Sequence, residues 1–162
     1  METDGQDEFV RFWNQTCDKV RAYMFCACSN VSDAEDLTQE CYIRALRNWE
    51  AFDGAGSRQA WLFAIARNAQ VDWFRKRTRE SRVLRSCVDD RAEAASESAG
   101  DDHEAVWRSI ARLSADQREV IHLRFAVGLS YAEIAAMLDV PVGTIRSRLH
   151  RGLETLRELI EE

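Results

Sequence analysis

Proline is nearly absent from this chain: 162 residues contain one. No segment shows the alternating apolar and polar pattern of a half-buried strand, so the chain is expected to be all-α. No run approaches the roughly 18 consecutive apolar residues that span a bilayer, and the acidic start METDGQDEF is unlike a secretion signal, so no membrane insertion is expected and the expected compartment is the cytoplasm. The five cysteines are an odd number within helical apolar patterns, which in a reducing compartment reads as buried thiols without disulfides. Cys26 and Cys28 form a Cys-x-Cys pair whose thiols point in different directions on a helix, and no second pair with zinc-finger spacing follows. No metal, cofactor or catalytic residue is therefore expected.

What is present is a strongly uneven charge distribution. The net charge of -6 conceals a basic segment, residues 67–85, with seven basic and two acidic side chains. Residues 86–104 reverse this with one basic and seven acidic side chains, and are rich in Ala and Ser and nearly devoid of large apolar groups. That composition predicts a flexible acidic linker over 83–104, dividing a helical domain at 7–82 from another at 105–162. About 22 residues extend to roughly 70 Å and relax to roughly 26 Å end to end, so the two domains can reach distant sites. An acidic chain with local basic patches is repelled by nucleic acid at long range and binds it weakly alone, which implies a partner.

Residues 128–157, GLSYAEIAAMLDVPVGTIRSRLHRGLETLR, read as two helices joined by a tight turn. Ser130 and Glu133 have capping-box spacing, and Pro141 ends the first pattern and opens the second near Val142. Tyr131, Ile134, Ala135 and Leu138 form one apolar stripe, and Val142, Ile145, Leu149, Leu153, Leu156 and Ile160 form another. Thr144, Arg146, Ser147, Arg148, His150 and Arg151 fall on the remaining faces. An apolar back with a basic, hydroxyl-bearing front suits a recognition helix in a major groove, although three arginines alone more often form a solvated face, and it is the capped helix and proline-marked turn before them that favour DNA.

In the N-terminal domain, a first helix carries Phe9, Phe12, Trp13, Val20, Tyr23 and Met24. Ser32 and Glu35 predict a capped second helix with a stripe of Leu37, Cys41, Ala45 and Trp49, leaving Asp36, Gln39 and Glu40 as an acidic polar face. A glycine-containing loop, FDGAGSR, precedes a third helix over about 59–82, with Leu62, Ile65, Ala66, Ala69 and Trp73 as its core side and Arg75, Arg79 and Arg82 in line on another. Ser114 and Gln117 predict a further capping box leading into Val120, Ile121 and Leu123, after a helix through Val106, Ile110 and Leu113.

Three ordered motifs, DAEDLTQECYIRALRNWEAF, AWLFAIARNAQVDWFRKR and the segment from Leu113 to Arg157, resemble the second and fourth conserved regions of bacterial sigma factors of the extracytoplasmic-function type. The resemblance implies a transcription initiation factor that binds core RNA polymerase and promoter DNA and is held by an anti-sigma protein. It implies polymerase contact at Asp36, Gln39 and Glu40. Minus-ten contacts would come from Arg67, Asn68, Asp72, Arg75, Lys76, Arg77 and Arg79, and from a loop around Asp53, Ser57 and Arg58 that takes an unstacked base, with Trp61 as a stacking surface. Minus-thirty-five contacts would come from Ser130, Tyr131, Thr144, Arg146, Ser147, Arg148, His150 and Arg151. Asp139 stands where that family often has glycine, which weakens the expected turn. The rival reading is a stand-alone helix-turn-helix regulator, which leaves the 36-39-40 face and the 67–85 patch without a role.

Overall fold

The computed structural model describes residues 2–84, 110 and 112–161, and every regular element among them is helical. The chain divides into two compact units, residues 1–95 and 96–162. The predicted linker lies outside the described residues except for its first two positions, as does most of the helix expected around Val106.

The N-terminal unit consists of α1 (Glu2–Cys28), α2 (Val31–Arg47) and α3 (Arg58–Leu84), each packed on the other two. Phe9, Val20, Tyr23 and Met24 of α1 meet Leu37 and Cys41 of α2 and Leu62, Phe63 and Ala66 of α3 in a closed core. Tyr23 and Phe63 meet edge to face with centroids 5.6 Å apart, the arrangement ring quadrupoles favour. Thr16 is buried without penalty because its hydroxyl donates to the Phe12 carbonyl at 2.8 Å. Phe63, fully buried, lies outside the stripe read from the sequence, whereas Trp73 is half-exposed rather than core.

The start of α2 differs from the Ser32–Glu35 box. Asn30 is the cap, its side-chain oxygen accepting from the Asp33 amide at 3.0 Å, which starts the helix at Val31, before the position a Ser32 cap would give. An Asn cap contributes about 1 kcal/mol, and Ser29 takes the left-handed conformation at φ 53° that lets α1 turn directly into it. A single 3-10 turn at Trp49–Ala51 follows α2 and buries Trp49 against α1.

In the C-terminal unit, α4 (Ala115–Ile121) opens with the expected Ser114–Gln117 box and widens into a π-type turn at His122–Val127, closed by left-handed Gly128. The Ser130–Glu133 box then starts α5 (Tyr131–Leu138), and α6 (Val142–Glu161) follows the proline-marked turn. Asp139 adopts the left-handed conformation, φ 53° and ψ 50°, so the turn forms without glycine. The buried side of α6 is Ile145, Leu149 and Gly152; Val142 and Leu153 are exposed, so the stripe turns away from the expected one after Leu149. A β-carbon at Gly152 would come within 2.7 Å of Ile121 Cδ1, so glycine here is what lets α6 lie close against α4.

Candidate polymerase and nucleic-acid interface

On α2, Asp36, Gln39 and Glu40 are all exposed on one face, as spacings of three and four require. Behind them sits Arg44, one turn after Glu40. Its Nε donates to Glu40 Oε1 at 2.7 Å and its Nη1 to Asp72 Oδ2 of α3 at 2.8 Å. These two carboxylates, Asp72 first, push the guanidinium pKa further up. A second tie joins the helices where Arg77 Nη1 donates to Asp33 Oδ2 at 2.8 Å, its guanidinium lying 4.8 Å over the Trp73 ring. Asp72 and Arg77, both expected at DNA, therefore fix α3 against α2 as well.

The remaining basic residues of α3 are presented outward. Arg75, Lys76 and Arg79 are exposed with Asn68, while Arg67 is half-buried. A shallow groove of about 380 Å³ runs along the helix between Val71, Phe74, Arg75, Thr78, Arg79 and Arg82, placing an apolar strip beside three guanidinium groups. Such a surface suits a phosphate backbone flanked by unstacked bases.

The loop before α3 is held in shape by its own residues. Asp53 accepts from the Ala55 amide at 2.9 Å, Gly54 and Gly56 have positive φ, and Ser57 Oγ accepts from the Ala60 amide at 3.0 Å as a cap for α3. Trp61 is half-exposed, with its ring 5.6 Å from Phe52 and 6.0 Å from Trp49. Arg58 lies over the same cluster and pairs with Glu8 of α1 at 2.6 Å. Trp61, Asp53, Ser57 and Arg58 are thus gathered around one loop.

On α6, Arg146, Ser147, His150 and Arg151 are exposed together, opposite the face that packs on α4 and α5. Thr144 is half-buried and its carbonyl accepts from Ser147 Oγ at 3.2 Å. Ser130 is the cap of α5, and Tyr131 lies beneath the Arg124 guanidinium at 5.2 Å. Arg148 departs from the others: it is half-buried and its Nη2 lies 2.6 Å from Asp116 Oδ2 of α4.

The family model for Sigma-70 region 2 matches residues 9–80, and that for Sigma-70, region 4 matches residues 103–156. Relatives include the ECF RNA polymerase sigma factor SigX of Bacillus subtilis, 34% identical over 148 residues that cover 86% of this chain and 76% of SigX. SigC of Mycobacterium tuberculosis is 36% identical over 152 residues, covering 93% and 80%. Among solved structures, the sigma factor RpoE in complex with the anti-sigma factor NepR from Bartonella quintana superposes with a TM-score of 0.79 at 32% identity, covering 95% of this chain and 97% of that one. The chain belongs to the ECF RNA polymerase sigma factors.

As an ECF sigma factor it is a transcription initiation factor that directs core RNA polymerase to promoters. All the residues expected from the sequence to contact polymerase or promoter DNA fall inside the two matched segments. The sequence reading did not find Glu8, Asp33, Arg44 or Asp116, each of which holds at least one of those residues in place. Only the Arg44–Glu40 pair has local helical spacing; the other ties join partners distant along the chain, 50 positions apart for Glu8 and Arg58, and no motif marks them.

Proposed function

We propose that this ECF sigma factor clamps a promoter at two points while bound to core polymerase. Asp36, Gln39 and Glu40 contact a basic surface of the core enzyme. Arg67, Asn68, Asp72, Arg75, Lys76, Arg77 and Arg79 track the minus-ten strands, and the loop carrying Asp53, Ser57, Arg58 and Trp61 takes an unstacked base. On α6, Arg146, Ser147, His150 and Arg151 read the minus-thirty-five element in the major groove, with Arg148 against phosphate, while Ser130, Tyr131 and Thr144 hold phosphates at helix starts. Working with polymerase, the factor acts in the cytoplasm and has no enzymatic activity of its own.

The observation that carries this reading is the division of labour on α6. Ile145 and Leu149 are buried while Arg146, Ser147, His150 and Arg151 project together, leaving a recognition face that packing does not use. The acidic patch on α2 belongs with it, since a protein of net charge -6 needs a partner to approach DNA. Regulation by an anti-sigma protein is part of the proposal, supported by the likeness to RpoE, which was solved with its anti-sigma factor NepR.

In vitro transcription with core polymerase over a promoter library tests the whole reading. Start sites confined to promoters sharing two motifs at fixed spacing are the expected result. Tight, specific DNA binding without polymerase, and no stimulation of transcription, would instead make it a stand-alone regulator.

A further inference from the structure

Arg58 is half-buried and restrained on three sides. Its guanidinium carbon lies 4.5 Å over the Trp49 ring and 5.6 Å from the Phe52 centroid, and its Nη1 is 2.6 Å from Glu8 Oε1. The side chain keeps 39% of its surface open to solvent. An unrestrained arginine at a helix start samples many rotamers, and binding must then order it.

We propose that Glu8 is a positioning residue for base capture: it holds the Arg58 guanidinium over the Trp49 ring, so that the group is ready to stack on or hydrogen-bond an unstacked promoter base. The proposal rests on the reading of loop 52–58 as the site that takes this base. A guanidinium plane offers the stacking surface and donor fork that bases accept, and its fixed orientation lowers the ordering cost of capture. The aromatic cluster makes a rigid floor, because Trp49 is itself held by Phe9, Phe12 and Trp61.

Stability does not explain Glu8. It is 57% exposed, and surface ion pairs contribute little to folding. Nor does simple charge explain it, for a carboxylate beside DNA repels phosphate whatever the sequence. The two roles give opposite results on removal. Loss of a repelling charge tightens binding to every promoter, whereas loss of a positioning contact weakens discrimination at one base and leaves the rest unchanged. Glu8 also lies one residue before the segment that matches Sigma-70 region 2, which begins at residue 9.

The test uses holoenzyme made from core polymerase and the full chain, on fork-junction promoter fragments with 2-aminopurine or each alternative base at successive non-template minus-ten positions. R58A is expected to reduce discrimination at one position about tenfold, the scale of one lost stacking contact. E8A should reduce it several-fold at that position, with core affinity unchanged, and E8Q should fall between E8A and wild type. The double variant E8A/R58A should be no worse than R58A. An E8A effect that is uniform over all positions, that tightens binding, or that adds to R58A overturns the proposal. If R58A lowers discrimination while E8A changes nothing, the role of Glu8 fails and the base-capture reading stands. If neither R58A nor W61A alters discrimination at any position, that reading fails and takes the proposal with it.

Discussion

Gly152 of α6 faces Ile121 of α4 so closely that a β-carbon at 152 would fall 2.7 Å from Ile121 Cδ1 and 3.3 Å from Gln117 Cβ. The Ile121 methyl end can rotate away from a small intruder, but Gln117 Cβ is fixed to the α4 backbone and cannot. Gly152→Leu must therefore push α6 off α4, with an overpacking cost of about 3 kcal/mol. The helix propensity regained, about 1 kcal/mol, does not offset it. Thermal unfolding of the full chain should show the C-terminal transition shifted down by at least about 10 °C, with the N-terminal one unmoved. A C-terminal transition that rises with the propensity gain would show that the close approach is not a constraint.

Asp139 holds the turn of the helix-turn-helix at φ 53° and ψ 50°. A β-carbon in that region costs about 1 to 2 kcal/mol, less for Asp than for most residues, and a negative charge at the end of α5 opposes the helix dipole by about 0.5 kcal/mol. Asp139→Gly removes both and adds back about 0.5 to 1 kcal/mol of backbone entropy. The variant should be more stable by about 1 kcal/mol, with minus-thirty-five binding retained. Urea denaturation measures the difference, and a destabilised variant would mean that the Asp139 side chain makes a contribution larger than its strain.

The helices and their caps were legible because their signals are local. Ser114 with Gln117 and Ser130 with Glu133 act three residues apart, and both boxes form. Ser32 with Glu35 has the same spacing and fails, because Asn30 caps the helix first and nothing in the spacing ranks the two candidates. The exposed face of α6 was legible for a similar reason: once Ile145 and Leu149 are buried, periodicity exposes Arg146, Ser147, His150 and Arg151. The ties that orient the faces were not, since Arg44–Asp72, Arg77–Asp33, Arg58–Glu8 and Arg148–Asp116 all join different helices. Helical periodicity says which side of α6 Arg148 occupies and says nothing of what stands opposite. Gly152 escaped notice because a small residue leaves no mark in an apolar pattern; only the α4 side chains reveal it.

Arg146 and Arg148 lie two residues apart on the recognition helix and should behave differently. Arg146 is exposed, and Arg148 is half-buried with its guanidinium 2.6 Å from Asp116. Arg146→Ala should relax discrimination at one or two base pairs of the minus-thirty-five element by about 1 to 3 kcal/mol, without changing stability. Arg148→Ala should lower the C-terminal transition by about 1 kcal/mol, through lost packing as much as lost charge, and weaken binding to all sequences alike. Asp116→Asn, which leaves the Arg148 stem packed, should reproduce only the part of that stability loss that comes from charge. Binding measured against a panel of single-substitution promoters separates the cases, and a base-specific defect in Arg148→Ala would return Arg148 to the reading surface.

Cys41 sits fully buried between α2 and its neighbours, and burial pushes its thiol up from the ordinary 9.0 to about 12, with Arg44 lowering it and Glu40 raising it by smaller amounts. The thiolate is the reactive form, so Cys41 should resist iodoacetamide in the native protein at about pH 8, while the half-buried Cys17 and Cys26 are modified. Cys28 should react more slowly than those two, since burial raises its pKa as well and its thiol donates to the Met24 carbonyl at 3.0 Å. Because the folded-state pKa of Cys41 exceeds the unfolded one, the stabilisation is fully present below about pH 9 and is lost as the pH rises towards about 12. Unfolding exposes a thiol that ionises, so alkali pulls the equilibrium towards the unfolded chain. Wild-type stability should therefore fall by about 2 kcal/mol more than that of Cys41→Ala between about pH 8 and pH 11, all other titrations being common to both. Denaturant titrations of the two proteins at both pH values give that difference directly. Equal losses would mean that the thiol reaches water in the folded state, and rapid native labelling at Cys41 would then accompany them.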